Sequence, residues 1–141
     1  LLNVPLLHIA DATGAPMQKN GITTAGLIGT RFTMEEDFYR GRLTSRFNLD
    51  CIVPEPDDRQ IIDRVIFSEL CRGIIKDDSR ARYRRIVNTL ADRGAEAVIL
   101  GCTEIGLLIT AADCQVPLYD TTELHVEQAL HFMLRDKLST H

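Results

Sequence analysis

Apolar and polar positions along this chain alternate between two periods. Short stretches that are apolar throughout, Val4 to Ile9, Thr23 to Ile28, Leu49 to Val53, Ala95 to Leu100 and Val116 to Tyr119, read as buried strands bounded by proline, glycine or aspartate. Between them the apolar residues recur at helical spacing. Ile61, Ile62, Val65, Ile66 and Leu70 mark one helix, begun at Asp57 or Asp58 and closed by Gly73. Tyr83, Ile86, Val87 and Leu90 mark a second, capped by Asp78 or Ser79 and ended by Gly94. Thr33 reads as the N-cap of a helix from Met34 to Phe47, with Glu35, Glu36 and Asp37 in its first turn. Ala12 to Asn20 has weak helical character, since Pro16 fits only a first turn and Gly21 ends the segment. A last helix starts in Asp120-Thr121-Thr122-Glu123 and carries Leu124, Ala129, Leu130, Met133 and Leu134 on one side.

Strands alternating with helices, with the strands apolar on both faces, predict a doubly wound, open parallel α/β sheet. Ligands of such sheets bind beyond the C-terminal strand ends. Two segments there carry reactive or polar side chains: Gly29 to Thr33, and Gly101 to Glu104. In the second, Gly101 allows a sharp turn out of the strand, and a helix is expected from Thr103 to Thr110. Cys102 would then sit at free N–H groups and the positive end of a helix dipole, which lowers a thiol's pKa. The same place equally suits a cysteine acting as a small hydrophobe. Thr30 and Thr33 suit a small anion such as a carboxylate.

Composition narrows the partners. A chain of 141 residues, 45% hydrophobic, has enough apolar residues for one core. A net charge of −4 argues against nucleic acid or an anionic membrane, and the arginines at 80, 82, 84 and 85 read as a solvated helix face behind Asp77 and Asp78. No apolar run reaches the roughly 20 residues of a membrane span, and no stretch reads as a signal peptide or lipidation motif. Cys51, Cys71, Cys102 and Cys114 form no C-x-x-C pair and no close His-Cys grouping, so no metal site is expected. Four such thiols suit a reduced, cytoplasmic protein. Gly26-Leu27-Ile28-Gly29-Thr30 lacks the third glycine of a dinucleotide fingerprint and the Gly-Lys-Ser/Thr of a P-loop. There is no G-x-S-x-G elbow. His8 suits a general acid or base, or a hydrogen-bonded core histidine, and His125 and His131 are not at metal spacing.

Leu6-Leu7-His8-Ile9-Ala10-Asp11-Ala12-Thr13, Gly29 to Tyr39 and Gly101-Cys102-Thr103-Glu104 resemble the aspartate/glutamate racemase family, most nearly its broad-specificity amino-acid racemase branch. The resemblance implies two α/β lobes around a cleft, no pyridoxal phosphate, metal or other cofactor, and two cysteines on opposite faces of the substrate Cα. It implies that Cys102 is the second of these acid/bases, that Thr103 helps hold the α-carboxylate, and that Glu104 supports the site electrostatically. The family's first cysteine lies in a Cys-Asn-Thr motif that this chain lacks. By that comparison the chain is the C-terminal part of a racemase: residues 1–22 belong with the N-terminal lobe, 23–115 form the lobe carrying Cys102, and 116–141 return to the first lobe. Such a portion is expected to be inactive alone, and an exposed cleft face would favour a homodimer. Acid-specific relatives place a lysine for the distal carboxylate where Cys71 stands here, beside Arg72, which implies a broad or non-acidic amino-acid substrate. The alternatives are a single-cysteine decarboxylase or isomerase of the same superfamily, and a non-catalytic binding module.

Overall fold

The structure, a computed structural model, describes residues 9–121 together with 130, 133 and 134. Four strands form one parallel sheet: β1 (Thr24–Ile28), β2 (Asp50–Ile52), β3 (Ala97–Leu100) and β4 (Leu118–Asp120), in the order β2-β1-β3-β4. From β1 the chain moves outward to β2 and then returns to the other side of β1 for β3. That reversal puts the topological switch point between β1 and β3, whose ends are in register at Ile28 and Leu100.

Both sheet faces are covered, because successive strand residues point to opposite sides. Ala25, Leu27, Ala97 and Ile99 pack with Ala10 and Met17 of α1 (Ile9–Lys19) and with Tyr39 and Leu43 of α3 (Asp37–Phe47). Ile28, Val98 and Leu100 pack on the other face with Ile62, Val65 and Ile66 of α4 (Pro56–Ser68) and Tyr83, Ile86, Val87 and Leu90 of α5 (Asp77–Asp92). The expected doubly wound sheet is therefore present. Residues 9–19 and 118–120, assigned to another lobe by the resemblance, here pack on and pair within this sheet.

Several local expectations give way to tertiary demands. The helix expected from Met34 to Phe47 is two: α2 (Arg31–Glu35), capped by Thr30 rather than Thr33, and α3, with Glu36 extended between them. The break has a packing cause. Met34 is buried in the α4/α5 layer whereas Tyr39 and Leu43 are buried in the opposite one, so the chain crosses the sheet's edge at Glu36. Pro16 lies inside α1 rather than in a first turn, because the helix begins at Ile9 and is anchored by fully buried Ala10 and Met17. α4 starts at Pro56, ahead of either aspartate and with Glu55 at the cap position, and Pro56 lies in its first turn, where a fixed φ costs nothing. Asp58 instead pairs with Arg85 at 2.9 Å. α5 likewise begins at Asp77 without a side-chain cap, and Ser79 donates to Glu69 at 2.6 Å.

The helix expected over 103–110 is a 3₁₀ turn, Thr103–Leu107, followed by a second one, Ala111–Asp113. Ile105, Leu108 and Ile109 anchor the stretch to the core, and a Thr110–Asp113 capping box restarts the chain after it. α4 ends at Ser68 rather than at Gly73, which at φ 75° closes a separate 3₁₀ turn, Leu70–Arg72, whereas Gly94 follows the end of α5 at φ 110° as expected. The strand expected over 4–9 lies outside the described residues except for Ile9, which opens α1. Of the last helix, Thr121, Leu130, Met133 and Leu134 are described as helical, and the latter three are exposed; Leu124 and Ala129 lie outside the described residues, as do His8, His125 and His131.

Candidate active site

The loops that leave β1 and β3 meet where the sheet topology reverses. The Gly101 N–H donates to the Ile28 carbonyl at 2.8 Å, extending the ladder one residue past the strands. Thr33 lies over both turns: a Cβ on Gly101 would come within 3.0 Å of its methyl and 3.2 Å of the Ile28 carbonyl, and one on Gly29 within 3.3 Å of Thr33. Two glycines thus allow the two loops to touch. Thr30 Oγ1 accepts from the Thr33 N–H at 3.4 Å and lies 3.1 Å from Thr33 Oγ1. The hydroxyls of Thr30 and Thr33 are in this way held side by side next to the Gly101–Cys102 turn.

Cys102 is half-buried, and its Sγ–H donates to Glu104 Oε2 at 2.9 Å. The Thr103 hydroxyl donates to the same oxygen at 2.7 Å. These bonds hold the Glu104 carboxyl below its usual pKa, the Cys102 bond being the largest cause. The thiol moves the other way. Burial first, and then the bond to the Glu104 carboxylate, push Cys102 up to about 11. The expected lowering of the thiol is therefore corrected: the helix whose dipole would have caused it is a five-residue 3₁₀ turn, and an anion sits where positive potential was expected. The resting pair is a neutral thiol against an ionised carboxylate.

Cys71 is exposed on the 3₁₀ turn Leu70–Arg72, which packs on the Thr103–Leu107 turn. Thr30, Thr33, Thr103, Glu104 and Cys71 thus all gather around the Cys102 turn. Cys51 is buried in the α1/α3 layer, and its thiol is pushed up to about 11 by burial; the Cys114 thiol, half-buried, is also raised by burial. Among the described residues no group of three or more His, Cys, Asp or Glu could hold a metal ion, and no helix is long and apolar enough to cross a membrane.

Sequence reading missed two buried polar contacts beside these loops. The Tyr39 hydroxyl lies 2.8 Å from Thr13 Oγ1, tying α3 to α1. Thr121, just after β4, donates to the Leu100 carbonyl at 3.0 Å and ties that end of the chain to the last residue of β3. Burial raises the Tyr39 phenol, keeping it neutral. A cavity of about 200 Å³ opens above, lined by Phe32, Thr33, Phe38, Tyr39 and Gly101. The signal was present in the aromatic residues of the Gly29–Tyr39 segment, but a single helix there would have placed Phe32 and Phe38 differently.

A parallel sheet covered on both faces is the fold that this chain shares with solved structures of racemase homologues. The chain belongs to the Asp/Glu/hydantoin racemase family, whose model matches residues 1–129. It is similar to the crystal structure of a protein from Yersinia pestis assigned as an Asp/Glu racemase: 48% identity, a TM-score of 0.90, 93% of this chain and 57% of that one. An aspartate racemase homologue from Pyrococcus horikoshii is 34% identical with a TM-score of 0.83, over 92% of this chain and 57% of that one. Aspartate racemase from Picrophilus torridus, 21% identical with a TM-score of 0.62 over 86% of this chain and 49% of that one, shares the fold. An uncharacterised protein from Pectobacterium carotovorum is 27% identical over 108 residues, covering 74% of this chain and 67% of that one. The chain spans little more than half the length of the solved structures that it matches.

Proposed function

We propose that this chain supplies one catalytic face of a cofactor-independent amino-acid racemase, with Cys102 as one of two cysteine acid/bases at the substrate Cα. The observation that carries this reading is the Cys102 Sγ–H···Glu104 pair at 2.9 Å, beside the paired hydroxyls of Thr30 and Thr33 at the switch point of the sheet. The hydroxyl pair of Thr30 and Thr33 faces the substrate's α-carboxylate, joined by Thr103 once its hydroxyl turns from Glu104, and that carboxylate gains negative charge as the Cα proton leaves. Cys71, on the neighbouring turn, borders the substrate where acid-specific relatives carry a lysine.

The raised thiol suits this chemistry. A Cα–H is a very weak acid, and a thiolate whose conjugate acid titrates near 11 is a stronger base than an ordinary cysteine thiolate. At neutral pH Cys102 rests as the neutral thiol, ready to deliver its proton to a carbanion; it becomes the base only after that proton is lost. Turnover in the direction where Cys102 abstracts should therefore rise by about tenfold per pH unit well below pH 11. The partner acid/base on the other face of Cα comes from the part of the relatives' length that this chain does not span, so the 141-residue chain alone is inactive.

In a protein spanning the family's full length, Cys102→Ser should lower racemisation by at least about 10³-fold, since a serine hydroxyl is a far poorer proton-transfer group at Cα. A panel of amino acids beside arylmalonates separates racemisation from single-cysteine decarboxylation. Racemisation undiminished in the variant, or turnover of the malonates alone, would overturn the reading.

A further inference from the structure

We infer that the cavity between Phe32 and Phe38 receives the substrate's side chain, and that the side chain it selects is aromatic or branched aliphatic rather than a carboxylate. This rests on the racemase reading above and adds the class of amino acid.

Location is the first ground. The cavity shares Thr33 with the hydroxyl pair and Gly101 with the turn that carries Cys102, so it adjoins both groups assigned to the reacting end of the substrate. An amino acid with its carboxylate at those hydroxyls and its Cα at the thiol has this space within reach of its side chain. At about 200 Å³ it is of the size of one large side chain, not of a nucleotide or peptide.

Chemistry is the second. Among the described residues the lining is two phenyl rings, a tyrosine ring, a threonine and a glycine, with no lysine, arginine or histidine. Tyr39 is buried, and its hydroxyl is bonded to Thr13, leaving its ring as the available surface. A substrate carboxylate placed here would lose water without gaining a cation, which is strongly unfavourable. An apolar side chain would instead cover aromatic surface.

The third ground is the exposure of the rings. Phe32 is 65% and Phe38 60% accessible, and they stand on α2 and α3 on either side of the break at Glu36. The break that moves the chain from one face of the sheet to the other therefore also sets two aromatic rings about the cavity. An apolar ligand between them removes surface from water that the free protein leaves exposed.

Ligand titration by NMR on the 141-residue chain tests this without requiring turnover, with phenylalanine, leucine, aspartate and glycine as probes. Phenylalanine and leucine should bind at least fivefold more tightly than aspartate or glycine and shift the resonances of Phe32, Phe38 and Gly101. Phe38→Ala should abolish that preference, and Phe38→Lys should turn it toward aspartate; Phe38 is exposed, so neither change endangers the core. Aspartate binding as well as phenylalanine, shifts elsewhere than these residues, or no binding by any probe would overturn the inference. Deuterium exchange at Cα in a full-length protein separates the two proposals. Exchange that favours aspartate sinks the side-chain assignment and leaves the racemase reading standing, whereas selective phenylalanine binding without exchange of any amino acid does the reverse.

Discussion

Cys102 shows how a neighbour two residues away can decide a residue's chemistry. Position alone, after a strand and a glycine, suggested an activated thiolate, but burial, and then the hydrogen bond that Glu104 accepts from the thiol, keep the proton on sulfur. Glu104→Gln should therefore lower the thiol's titration midpoint from about 11, because the amide carries no charge to repel a thiolate and can donate a hydrogen bond to it. Cysteine-selective ¹³C NMR, which resolves Cys102 from Cys51, reads that midpoint; a value unmoved or raised would mean that burial alone sets it. Cys102, Thr103 and Glu104 could all be picked from the sequence because they are contiguous. The sign of the pKa shift could not, since it depends on which way two side chains turn.

Elements were legible in the sequence where burial is uniform, along one face in α4 and α5 and along both in β1 and β3. They were misread where packing on two faces competes. Nothing in the spacing of Met34, Tyr39 and Leu43 says that the first belongs to one layer and the others to the opposite one, yet that division breaks the helix at Glu36. Tyr39 fastens the second piece to α1. Tyr39→Phe leaves the buried hydroxyl of Thr13 without that partner, and should cost about 1–3 kcal/mol in urea denaturation. At the opposite end of the strands, Glu96 Oε1 accepts from the Thr23 N–H, the Thr23 hydroxyl and the Thr24 N–H at 2.8 to 3.1 Å, fixing the start of β1 against β3. The Thr23 N–H is the largest cause of its lowered pKa. A carboxyl depressed in the fold stabilises it above the ordinary value of 4.5, and that stabilisation is lost as pH falls through the folded pKa. Thermal denaturation followed from pH 6 downward should show Glu96→Gln losing less stability than the parent below about 4.5. Parallel curves would remove Glu96 from the acid response.

On the scale of the molecule, the sheet order β2-β1-β3-β4 gives the candidate site its place. Chains leaving β1 and β3 meet through Gly29, Thr33 and Gly101, and the Thr30–Thr33 hydroxyls, the Cys102 turn and the aromatic cavity lie together there. The alternation of strands and helices made such a sheet foreseeable; the strand order, and hence the place of this meeting point, required the long-range pairing of Ala25 with both Cys51 and Ala97. The most direct measurement is stereospecific: incorporation of solvent deuterium at Cα from each enantiomer separately, in a Cys102→Ser variant of a protein spanning the family's full length. With one face disabled, the remaining acid/base should wash deuterium into only one enantiomer while net racemisation stops. Equal incorporation into both enantiomers would show that Cys102 is not an acid/base at Cα.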